Sequence, residues 1–66
     1  MKKWMAKDGN YTYTIKESVF GGVDLNIDHL GDEMRLWFQT YKSARNYLRR
    51  EEDFTGRMQL VKEGAE

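Results

Sequence analysis

Residues 25–38 read LNIDHLGDEMRLWF, and this stretch decides the fold. A two-residue turn at Gly31-Asp32 would bring Leu25 opposite Phe38 and join two alternating segments. Nearly all the apolar side chains of both segments then lie on one side of the hairpin. The other side contains the remaining residues, which are Asn26, Asp28, Leu30, Glu33, Arg35 and Trp37. Such a division predicts an antiparallel pair of strands with one buried face.

A second hairpin is predicted near the N-terminus, where Asp8-Gly9 is a favourable two-residue turn. This turn would place Trp4 opposite Tyr13 as a cross-strand aromatic pair. Residues 11–15 alternate between two sets of β-forming side chains, which favours a strand there.

A helix is predicted to follow the second strand of the hairpin that residues 25–38 form. Thr40 is a favourable N-cap residue placed just after the predicted strand. Apolar side chains then recur at the spacing of one helical face, at Tyr41, Ala44 and Leu48. The helical pattern continues to about Asp53.

The remaining segments complete the predicted fold. Gly21-Gly22 indicates another turn, with a bulge that adjusts the strand register. Residues 57–63 can form a short strand that adds to a sheet edge. We therefore expect a single α+β domain over residues 1–66. It consists of an antiparallel β-meander of three to four strands, one α-helix packed on one face, and a short C-terminal strand.

Composition excludes several classes of protein. The chain has 66 residues and no cysteine, so it can form neither disulfides nor thiolate metal sites. The N-terminal lysines precede no apolar segment, and no run approaches the roughly 20 residues of a membrane span. We therefore expect a cytoplasmic protein. The formal net charge is zero, which favours neither nucleic acid nor a membrane as partner.

No group of residues predicts catalysis or metal binding. The single histidine, His29, is expected at the rim of the core beside Met34 rather than in a cleft with a catalytic partner. Asp28 and His29 point to opposite faces of one strand, so they cannot hold a metal ion together. The acidic residues of this region, Asp24, Asp28, Asp32 and Glu33, fit no calcium loop. We predict a protein that is not an enzyme and needs no cofactor or metal.

The predicted binding surface is the sheet face turned away from the helix. Trp37 would lie there beside Arg35, and an exposed tryptophan flanked by arginine is typical of protein interfaces. Tyr11 or Tyr13 would extend this surface. In the alternative arrangement, the N-terminal segment covers Trp37. The first arrangement predicts a protein-binding module or regulator whose partner is another protein or a second copy of the chain, since a small domain gains buried area by association.

The alternative function is nucleic-acid binding by the helix. Its cations can contact phosphates, and neighbouring tyrosines can stack on bases. These cations are Lys42, Arg45, Arg49 and Arg50. The run Phe38-x-Thr40-x-x-x-Ala44 resembles the strand-to-helix corner in the DNA-binding domains at the start of some tyrosine recombinases, although the basic strands of those domains are missing here. Small size also fits a regulator of a larger machine, as mobile-element proteins often are.

Overall fold

A computed structural model describes residues 2–61 as a five-stranded antiparallel sheet with one helix on one face. The elements in chain order are β1 (Lys3–Asp8), β2 (Tyr11–Glu17), β3 (Val23–His29), β4 (Asp32–Phe38), α1 (Tyr41–Glu51) and β5 (Gln59–Val61). The strands lie in the order β4-β3-β2-β1-β5. The predicted α+β fold is therefore confirmed, with four meander strands and a short fifth strand.

The register predicted for the β3–β4 hairpin is wrong by two residues. The chain turns at Leu30-Gly31 instead of Gly31-Asp32, so Leu25 lies opposite Leu36. Leu30 and Gly31 have φ values of 53° and 95°, as the two central residues of a type I′ turn require. Because side chains alternate with a period of two, this shift leaves every residue on its predicted face.

The β1–β2 hairpin shows a register shift of the same size. Its turn is Gly9-Asn10, so Trp4 lies opposite Ile15 and the predicted Trp4 and Tyr13 pair is wrong. Gly9 has a φ of 61° at the first central position, where a type II′ turn favours glycine. The faces are again preserved.

Residues 18–22 form a loop between β2 and β3 in place of the predicted bulged turn. The Ser18 N–H donates to the Gly22 carbonyl oxygen at 3.1 Å, and the Gly21 N–H donates to the Ser18 carbonyl oxygen at 3.1 Å. The Ser18 hydroxyl also accepts from the Phe20 N–H at 3.2 Å. These bonds hold Val19 and Phe20 at the tip of the loop, in solvent.

The core lies between α1 and one face of the sheet. Ala44 and Leu48 on α1 are fully buried, as their spacing predicts. The other core residues are Tyr13, Ile15, Val23, Leu25, Ile27 and Phe54. Truncating a buried leucine such as Leu48 to alanine typically costs about 2–5 kcal/mol.

The ends of α1 are fixed by local hydrogen bonds. The Thr40 side-chain oxygen accepts from the Ser43 N–H at 3.1 Å, which confirms the predicted N-cap. After the helix, Asp53 adopts a φ of 54°, and the Phe54 N–H returns to the Leu48 carbonyl oxygen at 3.0 Å. This reversal directs Phe54 into the core and the chain back toward β1.

Candidate functional site

The sheet face opposite α1 is uncovered within residues 2–61 and is called here the helix-free face. Strand alternation places on it every second residue of each strand, including Lys16, Asp24, Asn26, Arg35 and Trp37. These side chains line an open depression of about 720 Å³. The predicted pair Trp37 and Arg35 thus lies on this face, and the N-terminal segment does not cover the indole.

Trp37 is oriented by local contacts although it is 56% exposed. Its indole N–H donates to the Gly21 carbonyl oxygen at 3.1 Å. The ring also lies directly over Gly22, where no space remains for a Cβ atom. A side chain fixed in this way loses little conformational entropy when a partner binds.

Two further exposed apolar side chains come from the loop between β2 and β3. Phe20 is 94% exposed, and its neighbour Val19 is also exposed. Together with Trp37 they border an open depression of about 610 Å³. We call Val19, Phe20 and Trp37 the indole patch. Val19 and Phe20 are not among the residues predicted from sequence, although two apolar residues directly before a glycine pair indicate an apolar loop tip.

Charges of both signs surround the indole patch on the helix-free face. Asp24 lies between Lys16 and Trp37 in adjacent strands. Arg35 is 82% exposed and forms a long ion pair of 3.8 Å with Glu33. Lys3 lies directly opposite Lys16 on the same face, so cations outnumber acids in the depression, and Asp24 and Glu33 make the electrostatic surface of this face mixed.

Tyr11 and Tyr13 lie on the other face of the sheet, so the structure does not bring them together with Trp37. Tyr13 is 1% exposed and packs against Phe54 with ring centroids 4.8 Å apart. Burial raises the pKa of the Tyr13 phenol, and the charges of Glu52 and Asp8 act in the same direction. The sequence pattern predicts this placement. Tyr11 and Tyr13 alternate with Ile15 along β2, so all three side chains point to the same face of the sheet as that apolar residue.

Arg45 on α1 holds the segment that follows the helix. Its guanidinium donates to the Tyr41 hydroxyl at 3.0 Å and to the Gly56 carbonyl oxygen. It also lies 5.8 Å from the centroid of the Tyr41 ring. This predicted phosphate-binding residue therefore has a structural role in positioning the loop back to β5.

The other predicted helix cations are more exposed. Lys42 and Arg49 share one flank of α1 with Arg45, whereas Arg50 lies about 100° further around the helix. Arg49 donates to the Asn46 side-chain oxygen at 3.3 Å. Arg50 pairs with Glu51 at 3.5 Å. The four cations do not form one continuous surface.

His29 and Asp28 make structural contacts near the turn of the β3–β4 hairpin. The His29 ring stacks on Tyr11 with centroids 4.2 Å apart, and its cross-strand partner in β4 is Asp32 instead of the expected Met34. The Asp28 carboxylate accepts from the Gly31 N–H at 3.2 Å and so supports the turn. Among residues 2–61, no three potential ligand side chains are grouped to hold a metal ion. No helix in that range is long and apolar enough to cross a bilayer.

Comparison of the chain with protein-family models, with curated proteins and with solved structures gives no match.

Proposed function

We propose that this chain is a non-catalytic protein-binding module that contacts its partner through the indole patch. The observation behind the proposal is the exposed Trp37 indole, which a hydrogen bond and the Gly22 backbone hold in one orientation. Tryptophan is among the residues enriched at the hot spots that dominate the binding energy of protein interfaces.

The surroundings of the indole patch support a protein partner. An apolar centre with a polar rim is the usual anatomy of a protein interface. Here Phe20 and Trp37 form the centre, and Lys16, Asp24 and Arg35 form the rim. Because Asp24 and Glu33 lie among the cations of this face, a polyphosphate backbone would meet repulsion as well as attraction. A module of this kind would serve as an adaptor or a regulator.

Nucleic-acid binding by α1 is the second candidate. Lys42, Arg49 and Arg50 extend into solvent and could reach phosphates. Arg45 is occupied by Tyr41 and Gly56, which weakens this candidate. It predicts an affinity that falls steeply with salt, with the slope easing by about one for each phosphate contact that is removed.

Affinity capture from the native host tests the first candidate. Phe20→Ala should abolish capture without changing stability, because this side chain is almost fully in solvent. Leu60→Ala is the matched control, since Leu60 is 53% exposed on the opposite face and far along the sheet. Capture that survives both Phe20→Ala and Trp37→Ala would contradict the proposal.

A gel-shift titration on duplex and single-stranded DNA at two salt concentrations separates the candidates. The protein-binding proposal predicts no shift at low salt up to about 100 μM, a concentration at which even non-specific binders respond. A shift that weakens with salt and with Arg49→Ala would favour the α1 surface instead.

A further inference from the structure

The two edge strands of the sheet differ in length. The β1 edge is paired with β5, which has three residues. The opposite edge is β4, a strand of seven residues whose outer side pairs with nothing in residues 2–61. Short strands, lysines and prolines commonly protect such an edge from other chains. The chain has no proline and β4 has no lysine, so the charges on this edge strand are those of Asp32, Glu33 and Arg35, which are of both signs.

The free hydrogen-bonding groups of β4 follow from its pairing with β3. The turn hydrogen bond joins the residues that flank Leu30-Gly31, and ladder bonds then alternate along the strand. Every second residue of β4, starting with Asp32, therefore bonds to β3. The residues that direct their N–H and C=O groups to the open edge are Glu33, Arg35 and Trp37.

This edge is complementary to itself. When two copies of β4 pair antiparallel around a two-fold axis at Met34, Glu33 of each copy lies opposite Arg35 of the other. Both reciprocal pairs use the free backbone groups, and each exchanges two hydrogen bonds. Within one copy, Glu33 and Arg35 form only a long pair of 3.8 Å, in which their side chains are 49% and 82% exposed.

Neighbouring registers are less favourable. An axis at Arg35 would bring the two Arg35 side chains together, and like charges directly opposite destabilise a pair of strands. An axis at Leu36 would leave Glu33 without an opposite charge. At the favoured axis, Met34 of both copies meet, and this side chain is 42% exposed in the single chain.

The geometry points to a second copy of this chain as the occupant of the β4 edge, in an isologous dimer with one continuous sheet. The contact is one strand long and falls below the roughly 1,200 Å² of a standard interface, so the dimer is weak, with a Kd in the micromolar range or above. It does not depend on the proposed protein-binding role. Dimerisation would place two indole patches on one face, with their tryptophans about 20 Å apart along the strand direction.

Sedimentation velocity between about 10 μM and 1 mM at low salt tests the dimer. The wild-type chain should show a monomer–dimer equilibrium. Glu33→Arg and Arg35→Glu should each raise the Kd about tenfold or more, because both variants replace two attractive pairs with two repulsive ones. The double variant E33R/R35E should restore the wild-type Kd. An equimolar mixture of the two single variants should dimerise, because each supplies the charge that the other lacks.

Lys7→Glu is the matched control, since it changes the net charge as Arg35→Glu does but lies on β1 of the same face. It should leave the Kd unchanged, and so should Phe20→Ala, which removes only the protein-binding patch. A chain that stays monomeric over the whole range would overturn the inference. A Kd that is unchanged in Glu33→Arg and Arg35→Glu would also overturn it. So would an equimolar mixture of these two variants that does not dimerise.

Discussion

Replacing Gly22 with alanine should destabilise the fold much more than replacing its neighbour Gly21. Both glycines have left-handed backbone angles, with φ values of 94° for Gly21 and 74° for Gly22. A Cβ atom at Gly21 would have nothing within 4 Å, whereas at Gly22 it would collide with the Trp37 ring and the Phe38 carbonyl oxygen. Comparing Gly21→Ala with Gly22→Ala therefore separates the cost of backbone strain from the cost of steric overlap.

The magnitudes follow from these two contributions. A non-glycine residue in the left-handed region costs roughly 1–2 kcal/mol, and both variants bear this cost. Overpacking typically adds about 1–3 kcal/mol, and only Gly22→Ala bears it. The fold as a whole has a free energy of unfolding of about 3–10 kcal/mol. Gly22→Ala therefore removes a large share of it.

Urea unfolding followed by far-ultraviolet circular dichroism provides the measurement. For a small domain, a difference of 2 kcal/mol between the variants corresponds to a midpoint difference of about 2 M. The cost of Gly22→Ala should also fall in a Trp37→Ala background, because one of the two colliding groups is then absent. Equal midpoints for Gly21→Ala and Gly22→Ala would refute the packing of the indole on Gly22, and with it the rigidity invoked for binding.

Two further predictions concern the β-sheet. Leu30 has a φ of 53° in the β3–β4 turn, so Leu30→Asn should raise stability by about 1 kcal/mol in a thermal melt, and a lowered Tm would contradict the turn position. Burial raises the pKa of Tyr13 above its ordinary value of 10.0, so the unfolded chain ionises first. The associated stability is complete below about pH 10 and is lost as the pH rises through the folded-state value. Wild type should therefore lose stability more steeply than Tyr13→Phe in alkaline urea titrations, and parallel curves would disprove this.

The strand faces could be predicted from sequence, whereas the hairpin registers could not. Alternation assigns Leu25 and Ile27 to the core whichever turn is chosen, because a shift of two residues keeps the parity. The choice between Leu30-Gly31 and Gly31-Asp32 depends on contacts between distant strands. In the observed register Trp4, Ile15, Leu25 and Leu36 form one apolar row across the sheet. That row needs all four strands at once, and no single hairpin motif contains it.

The candidate site likewise has residues whose position could be predicted from sequence and residues whose position could not. Trp37 could be assigned to the helix-free face because it directly follows Leu36, which faces the core, and consecutive residues of a strand point to opposite faces. The contribution of Phe20 could not be predicted, since it depends on a loop whose shape comes from hydrogen bonds of Ser18. The structural role of Arg45 was also hidden, because its acceptor Gly56 becomes a neighbour only after the chain reverses at Asp53.

The two tryptophans lie on opposite sides of the sheet, and this gives the chain two intrinsic optical reporters. Trp4 is packed against Tyr41 with ring centroids 4.4 Å apart, so its emission should follow unfolding. Trp37 faces solvent, so a soluble quencher such as acrylamide should reach it, and a bound partner should shield it. With Trp4→Phe and Trp37→Phe, ligand occupancy and folding could be read separately in one cuvette without any attached dye.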